Sequence, residues 1–139
     1  MRIILALLTF SVLLVACKEL DVVKYEYRST TMMGKTVVTI TADSVVTEFN
    51  GRKESTRNAR VTEPTEWAAL AASLKEVDLD KIATLQAPTE KRATDAAPYG
   101  TIIISTKDSV YTSASFDGKN PHEMLQPLMK EIVKAWEKK

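Results

Sequence analysis

The sequence has very few residues that carry nucleophilic or metal-binding chemistry. Among its 139 residues there is one cysteine, Cys17, and one histidine, His122. A single cysteine forms no disulfide within the chain, and it excludes a zinc site built from several thiolates. The four glycines are not clustered, so a glycine-rich phosphate-binding loop is excluded as well. The 19 Lys and Arg residues nearly balance the 18 Asp and Glu residues, which argues against a nucleic-acid partner.

The first residues are typical of an export signal. Residues 3–15 carry no charge and follow Arg2. This run is shorter than the roughly 20 residues of a membrane-spanning helix, but it suits a secretory signal peptide. A plain signal peptide with a chance cysteine and a buried N-terminal helix are the two alternatives.

The end of this segment, Leu14-Val15-Ala16-Cys17, resembles the lipobox of bacterial lipoproteins. The resemblance implies that Cys17 receives a diacylglyceryl thioether, that the chain is cut before it, and that its new amine is acylated, commonly with palmitate. It divides the chain into a signal peptide (1–16), a lipidated tether (17–21) and one domain (22–139). The partner of Cys17 is then membrane lipid in the bacterial cell envelope. Lys18, where inner-membrane lipoproteins have aspartate, favours the outer membrane, either periplasmic or surface-exposed.

Alternating and turn-forming residues predict several strands after the tether. Residues 22–29 alternate between apolar and charged side chains, as a half-buried strand does. Residues 36–41 and 44–49 predict a hairpin, and Asn50-Gly51 predicts a second turn. This turn leads into the polar residues 52–61, which we expect to form an edge strand. Residues 101–106 and 109–116 predict a further hairpin.

Two segments have helical periodicity. The first starts at Pro64 and places Trp67, Leu70 and Leu74 on one side. The second is expected to begin with Asn120 as N-cap and Pro121 as its first residue. Pro127 falls inside this second helix and predicts a kink or an irregular first turn.

These elements predict an α+β domain with an antiparallel sheet of five to six strands in two hairpin groups. Two amphipathic helices are expected to pack on one face of the sheet. Residues 36–47 and 101–112 align without gaps, which reflects either a duplicated β-β-α unit or convergence of hairpin sequences. The strings APTEKRATDAAPYGTIIIS and SFDGKNPHEM, together with the tryptophan-led helix, resemble small bacterial lipoproteins of unassigned activity.

The catalytic and metal-site candidates in the sequence are weak. His122 lies at the start of the last helix, where an exposed polar residue is the simpler interpretation. Asp78 and Asp80 lack the glycine of a calcium loop, so Asp78 is interpreted as a helix cap. We therefore expect no catalytic residue, no metal ion and no cofactor.

Three features suggest a binding surface. One is the cationic predicted edge strand, for which protection against edge-to-edge pairing is the alternative. Another is the long loop 86–100, where local Arg92–Asp95 pairing and packing of Tyr99 on the sheet are the alternative. The candidate residues are Arg52, Lys53, Arg57, Arg60, Lys91, Arg92, Asp95 and Tyr99. The third is Met32-Met33, which we expect to close one end of the core rather than enter a membrane or a partner.

The sequence therefore predicts a membrane-anchored, non-catalytic binding module whose partner is an envelope protein or an anionic surface. The alternatives are a small hydrolase that uses carboxylates, with Asp95 as the best candidate, and a purely structural envelope component. A polar cleft that gathers Asp95, Asp117 and His122 would favour the hydrolase. An open sheet with an exposed basic edge would favour the binding module.

Overall fold

The computed structural model describes residues 20–139, which form an α+β domain around a seven-stranded antiparallel sheet. The strands are β1 Val22–Thr31, β2 Gly34–Ile40, β3 Ser44–Gly51, β4 Ser55–Val61, β5 Tyr99–Thr106, β6 Val110–Thr112 and β7 Phe116–Asp117. The helices are α1 Pro64–Ser73 and α2 Gln126–Glu137, with 3₁₀ helices at Leu79–Thr84, Lys91–Thr94 and Glu123–Leu125. The predicted α+β class with an antiparallel sheet is confirmed, but the sheet has seven strands rather than five to six. The two-residue strand β7 was missed, because so short a strand has no periodicity to detect.

The strand order is β4-β3-β2-β1-β5-β6, and β7 also pairs with β5. The strand that begins the domain therefore lies inside the sheet, with one hairpin group on each side. The polar strand β4 forms an edge, as the sequence predicts, since polar side chains suit a strand that solvent reaches.

The core lies on one face of the sheet. Tyr25 and Tyr27 of β1 are 1% exposed on this face, and their neighbours in β2 and β5 are buried aliphatic residues. The Tyr25 and Trp67 ring centroids lie 5.2 Å apart, and those of Tyr27 and Trp136 lie 5.9 Å apart. Each helix therefore contributes a tryptophan to the same row of core tyrosines. The opposite face carries charged and β-branched side chains, including a buried Glu26.

The helix α1 begins at Pro64, as predicted, but it is less amphipathic than its sequence suggests. Among the ten described residues of α1, Leu70 alone is fully buried. Ala68, Ala71 and Ala72 are exposed. Small side chains on the outer side need no core around them, so α1 needs to bury little more than Leu70 and part of Trp67.

The start of the last helix differs from the prediction. The α-helix begins at Gln126, after a 3₁₀ turn at Glu123–Leu125 that His122 caps. Asn120 is therefore not its N-cap. Pro127 explains the change, because proline has no N–H to donate to the Glu123 carbonyl and is tolerated only in a first helical turn. The irregular first turn is confirmed.

The second hairpin is shorter than predicted, because β6 ends at Thr112 rather than at residue 116. The Ser113 hydroxyl accepts a hydrogen bond from the Ile102 amide at 3.0 Å and donates one to the Ala114 carbonyl at 2.9 Å. The Ser113 side chain thus accepts a hydrogen bond that a backbone carbonyl of the neighbouring strand would otherwise accept, and regular strand pairing ends here.

Candidate binding surface

Two turns meet at one end of the sheet, which we call the turn end. It consists of the β1–β2 turn at Met32-Met33, the β3–β4 turn at Arg52–Glu54, and the flanking Lys35 and Tyr99. Gly34 pairs with Gly51, and the Arg52 amide donates to the Met33 carbonyl at 3.3 Å. A Cβ on Gly34 would lie 2.5 Å from the Asn50 carbonyl oxygen and 2.8 Å from the Gly51 Cα. Glycine is therefore required for the two turns to approach this closely.

Met32 and Met33 project from the turn end instead of closing the core. Their exposed fractions are 69% and 67%. The turn backbone is held by Thr31, whose hydroxyl accepts from the Met33 amide at 3.1 Å and donates to the Gly34 carbonyl at 3.2 Å. The ring of Phe49 lies against both glycines, since a Cβ on Gly51 would lie 2.7 Å from it and one on Gly34 would lie 3.0 Å from it. The expectation that the two methionines close the core is wrong.

The four predicted edge-strand cations occupy different environments. Arg52 and Lys53 are exposed in the β3–β4 turn. Arg57 lies opposite Glu48 on the neighbouring strand, with 3.3 Å between Nε and Oε1. Arg60 points to the core side of the sheet. Of the four, Arg52 and Lys53 are therefore the two whose side chains form no ion pair within residues 20–139.

Arg60 links the edge strand to both helices. Its guanidinium donates to both carboxylate oxygens of Glu66 at 2.7 and 2.9 Å and to the Ala135 carbonyl at 2.6 Å. The Arg60 hydrogen bonds outweigh the effect of burial and lower the pKa of Glu66 to about 2. The same carboxylate accepts the Glu63 amide at the start of α1. Arg60 therefore has a structural role, and we leave it out of the binding surface.

The long loop is attached to the sheet through Asp117. Its carboxylate accepts the Thr89 hydroxyl at 2.6 Å, the Lys91 amide at 2.7 Å and the Arg92 amide at 2.9 Å. The Arg92 guanidinium completes the set at 3.0 Å. Burial alone would raise the pKa of Asp117, but these hydrogen bonds hold it well below its usual range. Arg92 thus pairs with Asp117 rather than with Asp95.

Asp95 and Tyr99 lie where this loop reaches the turn end. Asp95 has a φ of 57°, a left-handed conformation that aspartate tolerates better than most residues. Tyr99 pairs with Thr30 of β1 and is 47% exposed, so it packs only partly on the sheet. A cleft of about 380 Å³ runs between residues 95–99 and residues 30–32. The structure therefore brings Arg52, Lys53, Asp95 and Tyr99 to the end that also carries the methionines.

The candidate catalytic groups have structural partners. The Nδ1 atom of His122 accepts the Met124 amide at 3.1 Å. Asp78 caps the following 3₁₀ helix, as predicted, by accepting the Asp80 amide at 3.1 Å. Within residues 20–139, no three acidic, histidine or cysteine side chains come together as a group that could hold a metal ion. Cys17 lies outside the described residues.

Sequence reasoning missed the roles of Asp117, Lys35 and Phe49. The sequence suggests Asp117 as a member of a hydrolase cleft with Asp95 and His122. In the structure it lies in a turn, where its carbonyl accepts the Asn120 amide at 2.9 Å. A carboxylate that accepts bonds from residues 25 to 28 positions away has no local signal in a sequence. Lys35 joins the turn end through its pairing with Asn50, which depends on strand register.

No helix within residues 20–139 is long and apolar enough to cross a membrane. Comparisons of the chain with protein-family models, with curated proteins and with solved structures found no match.

Proposed function

We propose that this protein is a lipid-anchored lipoprotein of the bacterial envelope that acts as a non-catalytic binding module through its turn end. The anchor is Cys17, and the outer membrane is its expected site. The observation that carries the binding role is the exposed Met32-Met33 pair beside Arg52 and Lys53. The Trp67–Tyr25 and Trp136–Tyr27 contacts indicate that both helices pack on one face of the sheet. This packing leaves the turn end exposed.

Physical chemistry supports a binding role for these residues. Two adjacent apolar side chains held outward by a hydrogen-bonded turn gain nothing from exposure to water, whereas burial against a partner stabilises them. Methionine also adapts to irregular surfaces better than branched aliphatic residues do. The neighbouring cations would select for partners with negative charge.

The two alternatives have less support from the geometry. A hydrolase needs a carboxylate or imidazole that is free to exchange protons near neutral pH. Asp117 is engaged by four hydrogen bonds, and the His122 Nδ1 atom is used in a cap. A purely structural component would not need an exposed apolar apex at the turn end.

Cross-linking in intact cells tests the binding role. A photo-activatable residue at position 33 should capture a partner more strongly than the same residue at Met124, a 40% exposed methionine outside the turn end. Capture at position 33 should fall when Arg52 and Lys53 are replaced by glutamate. The double variant Lys75→Glu, Lys130→Glu is the matched control, since Lys75 is exposed in the turn after α1 and Lys130 is exposed on α2. Equal capture at the two positions, or capture unaffected by the turn-end charges, would remove the basis for the proposal.

A further inference from the structure

Resting on this proposed function, we infer that the partner of the turn end is an anionic lipid surface. Met32 and Met33 insert among the acyl chains, while Lys35, Arg52 and Lys53 contact the phosphate groups of the lipids.

The apolar part of the turn end has the shape that insertion requires. Met32 and Met33 form the apex of a two-residue turn between β1 and β2, so they project beyond the ends of the paired strands. Their backbone is fixed by Thr31 and by the neighbouring turn. An apex of this kind enters a fluid surface without any rearrangement of the fold, and only the flexible methionine side chains change rotamer.

Positive charge surrounds this apex. Arg52 and Lys53 lie in the adjoining turn, and Lys35 follows the methionine turn on β2. Within residues 20–139 none of the three forms an ion pair, whereas most other cations of the sheet do. Glu54 and Asp95 oppose them only in part. Each basic residue near an anionic bilayer strengthens binding about fivefold. The three cations outnumber the two acids, so the remaining positive charge directs the apex to such a surface.

Tyr99 lies at the level where the headgroups would be. It shares a row of the sheet with Lys35, since Thr30 pairs with both residues. Its half-exposed ring combines an apolar body with a polar hydroxyl, the combination enriched at membrane–water interfaces. Tyr99 and Lys35 therefore lie behind the apolar apex, and Arg52 and Lys53 lie beside it in the adjoining turn.

A lipid surface fits these residues better than a protein does. Stable protein interfaces bury roughly 800 Å² on each partner around a well-packed aromatic or apolar centre. The turn end instead presents two flexible side chains on a convex apex with charges around them. Such a surface suits a fluid, uniformly anionic layer.

Binding to vesicles tests this inference. The chain from residue 18 keeps every residue of the core cluster, which lies within residues 22–136, and it carries no acyl group. It should co-sediment with vesicles of phosphatidylethanolamine and phosphatidylglycerol but not with phosphatidylcholine vesicles. Binding should weaken as salt is added, because added salt shortens the screening length to about 10 Å at 0.1 M.

Variants separate the two contributions. Met32→Ser with Met33→Ser should lower partitioning about tenfold, because apolar area is no longer buried. Neutralising Lys35, Arg52 and Lys53 to glutamine should lower it about fivefold for each cation. Met124→Ser and the pair Lys75→Gln, Lys130→Gln are the matched controls and should leave partitioning unchanged. Unfolding midpoints of all variants establish that each one folds.

A fluorescent label reports insertion directly. Because Cys17 is absent from this chain, a single cysteine at position 33 can be labelled with the environment-sensitive dye NBD. Its emission should shift to the blue with anionic vesicles and be quenched by spin-labelled acyl chains. The same dye at position 124 should show neither effect.

Three results would overturn the inference. They are the absence of binding to anionic vesicles, binding that does not depend on the methionines, and equal dye shifts at positions 33 and 124. Protein capture at position 33 without vesicle binding would identify a protein partner and leave the proposed binding role intact. Absence of both would reject the binding role as well.

Discussion

Asp117 fixes the position of the long loop before β5, most of which has no regular secondary structure. The segment between the 3₁₀ helix ending at Thr84 and β5 contains a single short 3₁₀ turn. Two backbone amides, one hydroxyl and one guanidinium converge on the Asp117 carboxylate. Charge-assisted hydrogen bonds of this kind are stronger than neutral ones, so this carboxylate sets the position of the loop beside Tyr99.

Replacing Asp117 with asparagine should release this loop. The neutral amide accepts fewer hydrogen bonds and leaves the Arg92 guanidinium without its charge partner, so we expect the unfolding free energy to fall. Hydrogen exchange at the amides of Lys91 and Arg92 should accelerate. Asp95→Asn, in the same loop, should change neither quantity. Slow exchange retained at both amides in the Asp117 variant would contradict this assignment.

Glu66 should make stability depend on acid. Its pKa is about 2 in the folded protein and 4.5 without its partners. A carboxylate with a lowered folded pKa stabilises the fold fully above its unfolded pKa and loses that contribution as pH falls through the folded value. The contribution is therefore complete near neutral pH and declines between 4.5 and about 2.

Replacing Glu66 with glutamine should accordingly lower the unfolding free energy near neutral pH by about 2 kcal/mol, since it leaves Arg60 without its charge partner. The difference from the parent protein should shrink steadily below about pH 4. Glu137→Gln breaks the exposed Lys119 pair and should cost less than about 1 kcal/mol. A difference that stays constant with pH would show that the Arg60–Glu66 ion pair is not its source.

At the scale of elements, the two similar hairpins are not structurally equivalent. Val38 and Ile40 face the core, but the residues aligned with them in sequence, Ile103 and Ser105, lie on the opposite face. Aligned positions of a duplicated unit would be expected to keep the same face, because moving a strand by one residue exchanges its buried and exposed sides. The similarity between the segments is therefore better explained by convergence of hairpin sequences than by duplication.

The contact between the two turns depends on Gly34. Alanine at this position would place a methyl group against the backbone of Asn50 and Gly51, which has no flexible atom to move aside. We expect Gly34→Ala to lower the unfolding free energy by about 1–3 kcal/mol, measured by urea denaturation. Met33→Ala, in the same turn, should change it by less than about 0.5 kcal/mol because the side chain is exposed. Equal effects of the two substitutions would show that the turns do not depend on close backbone approach.

At the scale of the molecule, β1 runs from the first residues of the domain to the turn end. Residue 22 lies at one end of this ten-residue strand, and the methionine turn lies about 33 Å away at the other. If Cys17 is lipidated, the anchored chain enters the domain at the end of β1 opposite the turn end. The domain would then either lie with β1 along one lipid surface or bridge two lipid surfaces.

The anchor is tested by Cys17→Ser. This variant should lose labelling by palmitate and move from the membrane fraction to the soluble fraction, since each acyl methylene contributes about 0.8 kcal/mol to membrane binding. The Met32→Ser, Met33→Ser variant should stay in the membrane fraction, because the acyl chains alone suffice. An unchanged distribution of Cys17→Ser would reject the lipoprotein assignment.

Local patterns in the sequence were sufficient to predict the α+β class, most strands, the start of α1 and the edge position of β4. Those features depend on alternation, turn residues and proline, whose effects extend over only a few residues. The roles of Arg60 and Asp117 were decided by the tertiary structure, because Ala135 lies 75 residues from Arg60 and the partners of Asp117 lie 25 to 28 residues away. The same holds for the turn end. The sequence alone places Met32-Met33 in a turn and Arg52-Lys53 at the start of a separate edge strand, and only the register between β2 and β3 brings them side by side.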